Sequence, residues 1–248
     1  ERKKIIEGRR IGERAVDPLL ALGDRPHRGP EFRHRAPQIV RSRSEQVIGD
    51  HEKLSSASAR AEEAAFVLLA LQAPVASDLR AIIVALKMTA EIERSGDLAV
   101  NICKAARRIY GHDMNPKLRG QISKMSDQAQ QLFAAAMEAY DESDPAKAAA
   151  LNDMDNFLDD LQRQFIQTIF ESHAAGSIDL QVAVQLGVVS RFYERIGDHA
   201  VNIGEKVRFL VTGWVPEHIG AVRHRMRTDA TPVGGISIPA EGDRHRDA

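Results

Sequence analysis

Cysteine is nearly missing from this chain: Cys103 is the single one in 248 residues. One thiol excludes a disulfide framework, and a tetrahedral thiolate zinc site needs more than one. Aromatics are scarce, with one Trp, three Tyr and eight Phe. Long hydrophobic runs are scarce too. The longest unbroken apolar stretch, Ala64 to Leu71, is far too short to cross a bilayer. No basic n-region followed by an apolar h-region opens the chain, so nothing argues for secretion. No segment alternates apolar and polar residues over strand length, and no sheet is expected. Gly8, Gly12, Gly23 and Gly29 lack the strand-to-helix setting and the Lys of a phosphate-binding loop. What is plentiful, Ala, Leu, Glu, Arg and Asp, leans all-α.

Net charge is also close to absent, at −1, but this is a cancellation. Residues 1–45 hold 12 basic and 7 acidic residues. Residues 46–212 hold 17 against 23, and residues 213–248 hold 5 against 5. A basic head therefore precedes an acidic body of net −6 and a neutral tail.

The body reads as long helices. Residues 46–72 are rich in Ala, Leu and Glu and stop before Pro74. Ser77 or Asp78 is placed to cap a second helix that carries Leu79, Ile82, Leu86 and Val100 on one stripe to about Tyr110. Gly111 and Asn115-Pro116 break it. A third helix is expected over about residues 117–140. Asp144-Pro145 opens a fourth, with Leu151, Leu158, Leu161, Phe165 and Ile169 at helical spacing. Gly176-Ser177 separates it from a fifth, roughly residues 178–211, closed by Gly213 and Pro216. Long helices with short connections argue an antiparallel bundle. In residues 12–43, Pro18, Pro26, Pro30 and Pro37 argue against a long helix. Residues 213–248, with three prolines and Gly234-Gly235, read as a disordered tail.

One internal repeat stands out. Glu93-Arg-Ser-Gly-Asp-Leu-Ala-Val-Asn-Ile-Cys103 and Glu194-Arg-Ile-Gly-Asp-His-Ala-Val-Asn-Ile-Gly204 agree at eight of eleven positions, at an offset of 101. Asp78-Leu79 matches Asp179-Leu180 at the same offset. Glu93, Asp97 and Asn101 are spaced i, i+4, i+8, as are Glu194, Asp198 and Asn202, so each trio lines one helix face. Two carboxylates four apart repel each other, and burial raises the cost. A hard cation solves the problem, since carboxylates with a neutral oxygen donor are what it takes. Arg94 and Arg195 offer the competing solution, a guanidinium paired with a carboxylate. Gly96 and Gly197 signal close approach of a helix or a ligand, because mid-helix Gly otherwise costs about 1 kcal/mol. The fourth helix adds Asp153, Asp155, Asp159 and Asp160, of which Asp155 and Asp159 are again four apart; a solvated face is the plainer reading of these. Asp50 holds a comparable place before the first motif. Cys103 reads as a small core residue, and His199, matched by Leu98 in the first copy, as an ordinary core or surface histidine.

The string Gln72-Ala-Pro-Val-Ala-Ser-Asp-Leu-Arg80, with the motif at 93–102 and its copy at 194–203, resembles the PhoU family of phosphate-signalling regulators. The resemblance covers about residues 46–212. It implies an all-α fold of two tandem three-helix bundles related by the repeat. The corresponding division is a 1–45 Arg/Pro-rich segment, repeats at 46–141 and 142–212, and the 213–248 tail. It implies metal ions (iron, zinc, magnesium or manganese) at Glu93, Asp97, Glu194 and Asp198, with Asp155 and Asp159 secondary. It also implies a cytoplasmic, often dimeric protein that is not an enzyme; separately, no nucleic-acid partner is expected. Such a protein represses phosphate-starvation signalling and phosphate uptake. Its partners are a sensor histidine kinase and the ATPase of a phosphate ABC transporter, and it meets the membrane only through them.

Residues 1–45 depart from the family pattern, which places a first amphipathic helix there. An out-of-frame reading of GC-rich sequence gives such an Arg/Pro composition, and the chain starts at Glu1 rather than Met. The first bundle is then expected to lack a helix and to expose the apolar faces of the next two. Three other readings compete. A metal-free helical interaction protein needs only the bundle. A ferritin-like di-metal enzyme needs Glu-x-x-His on two helices, and the sole such spacing is Glu31–His34, on no expected helix. A basic arm on nucleic acid would use Arg33, Arg35, Arg41 and Arg43, but no binding motif follows them.

Overall fold

The computed structural model describes residues 30–112 and 114–213. They form five helices: α1 Pro30–Gln72, α2 Ala76–Arg108, α3 Pro116–Glu142, α4 Pro145–Ala174 and α5 Leu180–Thr212. No strand occurs among the described residues.

Local chemistry sets most of the ends. Asn115 Oδ1 accepts from Leu118 N at 2.9 Å and opens α3. Asp144 Oδ1 accepts from Ala146 N and Lys147 N at 2.8 and 3.1 Å and opens α4. Asp179 Oδ1 accepts from Val182 N at 2.8 Å and opens α5. Each satisfies backbone donors that a helix start leaves unpaired. Gly213, at φ +70°, closes α5 in the left-handed conformation that glycine adopts without strain.

Two expected ends move. The N-cap of α2 is Val75, with no side-chain cap, rather than Ser77 or Asp78. More consequentially, α1 begins at Pro30 and contains Pro37, where the Pro-rich sequence argued against a helix. Proline is tolerated at a helix start, and at Pro37 a single backbone bond is lost. Burial offsets that loss: Val40, Ser44 and Val47 are all buried, so the core stripe of α1 starts six residues before the expected helix did. The Ser44 hydroxyl donates to Val40 O at 2.7 Å. Residues 30–45 thus lie within α1. The expectations for residues 1–29 and for the tail beyond Gly213 lie outside the described residues.

Packing follows the repeat. α1 and α2 form one antiparallel hairpin, α4 and α5 form another, and α2 crosses against α5 to join them. The third helix, α3, packs on α4 and α5 and not on α1 or α2 along its length. The sequence-based division at 141/142 therefore falls within a three-helix unit, α3–α4–α5, and the first unit is the α1–α2 hairpin. Steric evidence fixes the register. A methyl group at Gly96 would meet His51 and Leu54; one at Gly197 would meet Asp155 and Leu158. The second helices of the hairpins are thus related by 101 residues and the first helices by 104. The same register pairs Val47 and Cys103, buried together in one apolar cluster, with Leu151 and Gly204. A larger side chain on one helix is matched by a smaller one on the other.

Candidate functional site

Each repeat motif lies mid-helix, where the crossing is closest. At Gly197 an added methyl would stand 2.5 Å from Asp155 Oδ1 and 2.8 Å from Leu158 Cδ2; at Gly96 it would stand 2.7 Å from His51 Nδ1. The glycines therefore let α1 and α4 approach closely, and they bring one polar side chain of each facing helix to the motif.

In the first unit that side chain is His51, whose Nε2 lies 2.9 Å from Asp97 Oδ1. Asp97 is 63% exposed at its side chain, and Glu93 is half-buried. Asp50, the acid that sequence position suggested here, instead pairs with Lys53 at 3.0 Å. In the second unit Asp155 faces Gly197, and Asp159 lies one turn further along α4. Glu194 is buried, at 7% exposure, and its Oε2 has no hydrogen-bond partner. Its other oxygen is paired with the Arg191 guanidinium. That hydrogen bond holds Arg191 above its ordinary pKa; burial opposes it, and the charges of Glu194, Asp198 and Asp159 add to it. A guanidinium does meet this carboxylate, but it is Arg191 from the same helix, one turn before Glu194, and not Arg94 or Arg195 reaching across from a neighbouring helix. The first unit has Ala90 at the matching position.

The six expected metal ligands fall into two sites. Glu93 and Asp97 belong to the α1–α2 hairpin; Glu194, Asp198, Asp155 and Asp159 belong to the α4–α5 hairpin. The donors suit a cation, and the orphaned Glu194 oxygen marks unspent acceptor capacity. Among the described residues, however, no three His, Cys, Asp or Glu side chains are gathered as they would be around a metal ion.

A further polar constellation went unread in the sequence. Glu91, 8% exposed, accepts from Asn202 Nδ2 at 3.2 Å and lies 2.6 Å from His199 Nδ1. It joins α2 to α5, hence one unit to the other. Burial alone would raise the Glu91 carboxyl, but hydrogen bonds from His199 and Asn202, with the charges of His199 and Arg94, overcome this and hold it below its ordinary value. The repeat places Leu98 and Phe192 at the equivalent positions, and both belong to the main apolar cluster. His199 is a core histidine, as its unlike partner Leu98 suggested. Glu91 carried no such signal, because nothing in one chain pairs residues 108 apart. Cys103 is fully buried, the small core residue expected.

Comparison with known proteins matches this architecture. The PhoU domain family model matches residues 40–106 and 122–207, one segment for each unit. Phosphate-specific transport system accessory protein PhoU homolog 2 of Mycobacterium tuberculosis is 44% identical over 174 residues, 70% of this chain and 81% of that protein. PhoU homolog 1 of Mycobacterium leprae is 43% identical over 175 residues, 70% and 78% of the two chains. Among solved structures, PhoU from Pseudomonas aeruginosa superposes with a TM-score of 0.66 at 24% identity, covering 86% of this chain and 96% of that one. The phosphate transport system regulatory protein PhoU from Streptococcus pneumoniae gives 0.70 at 22%, covering 87% and 94%. A tandem helical repeat with a doubled Glu-Arg-x-Gly-Asp face, matched by the family model over both units, belongs to the PhoU family.

Proposed function

We propose that this protein is an accessory regulator of a phosphate-specific transport system, one that restrains phosphate uptake and phosphate-starvation signalling when phosphate is plentiful. The observation that carries this reading is the family match over both units, together with relatives at 40–44% identity that are phosphate-specific transport system accessory proteins. Its work is binding, not catalysis. Its partners are the ATPase of a phosphate ABC transporter and a sensor histidine kinase, and it acts in the cytoplasm as a homodimer. No helix among the described residues is long and apolar enough to cross a membrane, which fits contact with the membrane through those partners. A deletion strain in phosphate-replete medium tests this. Phosphate uptake and a starvation-responsive reporter should both rise and return to the low state with the wild-type gene. An unchanged reporter and unchanged uptake would overturn the reading.

The finer part of the proposal is metal. Iron, zinc, magnesium or manganese is held by Glu93 and Asp97 in the first unit and by Glu194, Asp198, Asp155 and Asp159 in the second. Supporting this are the repeated carboxylate faces and the unpartnered oxygen of buried Glu194. When bound, a cation would neutralise carboxylates on facing helices and stiffen each hairpin. Elemental analysis of wild type against Glu93→Ala/Asp97→Ala and Glu194→Ala/Asp198→Ala checks it: bound metal should fall in each variant. The pairing of Arg191 with Glu194 favours a second reading, in which the guanidinium is the counter-ion and the bundle acts as a metal-free interaction protein. Wild type without metal, and variants that still repress, would select that reading.

A further inference from the structure

The two helices that join the units are near-copies of one another. α2 and α5 share eight of eleven residues over the motif. Buried Ala99, Val100 and Ile102 reappear as buried Ala200, Val201 and Ile203. The two helices run antiparallel along their length. A methyl group at Gly213, at the end of α5, would stand 3.4 Å from the guanidinium of Arg80, early in α2. Glu91 meets His199 and Asn202 further along. His112, just past α2, has its Nδ1 2.5 Å from Oδ2 of Asp179, the N-cap of α5. Exchanging the helices by the offset of 101 carries these contacts into one another. Arg80–Gly213 becomes Gln181–His112, beside the observed His112–Asp179 pair. An approximate two-fold axis therefore passes between α2 and α5 near Ser95 and Ile196, both buried. The contact at Glu91 is the one that breaks this symmetry. Its exchange sets Phe192 against Leu98 and Asn101.

Such a pairing has competitors. A second copy of the chain offers the same two faces, and exchange of like elements is a low-cost route to a dimer. α5 on α5 about the same axis sets Phe192 against His199 twice. α2 on α2 sets Glu91 against Leu98 twice. The identical residues cannot tell these pairings from the native one. The midpoint does not oppose them either, since Ile196 against Ile196 is an ordinary apolar contact. Glu91 and His199 do oppose them, at 8% and 7% exposure. In the native pairing the carboxylate accepts from Asn202 Nδ2 at 3.2 Å and lies 2.6 Å from His199 Nδ1. Arg94, 3.8 Å away on its own helix, is its other charged neighbour. In either like-with-like pairing the buried carboxylate or imidazole meets an apolar side chain and loses that partner, which is costly. We infer that Glu91–His199 is the recognition pair that makes α2 choose α5, and α5 choose α2, over a second copy of itself. The pair bars a symmetric dimer built on either face alone. A single buried polar contact of this kind is a known way to fix which helices associate.

The test makes this pair decide between chains. Glu91→His sets imidazole against imidazole within one chain, and His199→Glu sets carboxylate against carboxylate. In a mixture, α2 of the first variant matches α5 of the second, and α2 of the second matches α5 of the first. Asp78→Cys in the first and Thr212→Cys in the second place exposed thiols near the Arg80–Gly213 end. Cys103 is buried and does not compete. The full-length chains are unfolded in urea, refolded together and treated with a short bismaleimide. Covalent dimer should exceed by about tenfold that from the same thiols on chains with native Glu91 and His199. Chains carrying the reversed pair, Glu91→His/His199→Glu, should return to the native level, because each matches itself again. A variant that loses helical circular dichroism when refolded alone should regain it in the mixture. Three results would each overturn the inference: cross-linking no higher than the native level, equal cross-linking with the reversed pair, or a mixture that stays unfolded.

Discussion

At the scale of single residues, the helix glycines sort by what they make room for. Gly187 faces only Ile166 Cδ1, at 3.9 Å. Gly187→Ala should therefore raise stability by about 0.5–1 kcal/mol, the helix-propensity difference alone. Gly197→Ala should instead lower it by about 1–3 kcal/mol, since the new methyl meets Asp155 and Leu158 below contact distance. Urea denaturation of the two variants checks both signs at once. Glu91 gives a pH prediction. Its carboxyl is held below the ordinary 4.5, so it contributes stability above that value and loses it as pH falls through the folded-state value. Glu91→Gln should be less stable than wild type near neutral pH, and the gap should close as pH falls below 4.5 and through the lowered folded-state value. Melting temperatures across that range measure it. A gap that stays constant with pH would show that the ionised carboxylate is not what matters.

Helix ends carry the argument at the scale of elements. α3 stops in a Schellman motif: Asp144 N donates to Ala139 O at 2.9 Å, and Ser143 sits at φ +52°. Left-handed Ser is strained where Gly is not, so Ser143→Gly should stabilise by about 1 kcal/mol. The next residue opens α4, and Asp144→Ala should cost about 1 kcal/mol by stranding two backbone donors. Thermal melts of the two single variants should move in opposite directions. The ends at Asn115, Asp144 and Gly213 were legible because capping is local and each acts on backbone within three or four residues, whereas α5 was expected from about 178 and is capped by Asp179. The start of α1 was not legible. Its prolines argue locally against a helix, and what outweighs them is burial of Val40, Ser44 and Val47, which depends on residues far along the chain, such as Val100 and Cys103 of α2 beside Val47.

At the scale of the whole molecule, the repeat is an approximate symmetry whose departures are informative. α2 and α5 cross with Glu91, His199 and Asn202 at one place and the apolar positions Leu98 and Phe192 at its repeat equivalent. Replacing a buried polar pair by well-packed apolar side chains is often neutral or stabilising, whereas removing one partner leaves the other unsatisfied. Glu91→Phe/His199→Leu, which copies the equivalent positions, should fold at least as stably as either single variant. A chemical-denaturation double-mutant cycle reads the coupling directly. The same comparison separates the two carboxylate sites: His51 stands where the second unit has Asp155, and Ala90 where it has Arg191. One motif repeated in sequence thus sits in two electrostatic settings.

The amino-acid sequence alone determined the helical class, the 101-residue repeat, most helix ends and the family. Periodicity, caps and a doubled motif are properties of residues near one another along the chain. The tertiary structure alone decided the rest. It assigned α3 to the second unit, set His51 rather than Asp50 beside Asp97, gave Glu194 an arginine from its own helix, and joined Glu91 to His199. Each of these depends on which face one helix turns toward another. That is set by packing volume at Gly96, Gly197 and Gly204 across distances in sequence that no local pattern spans.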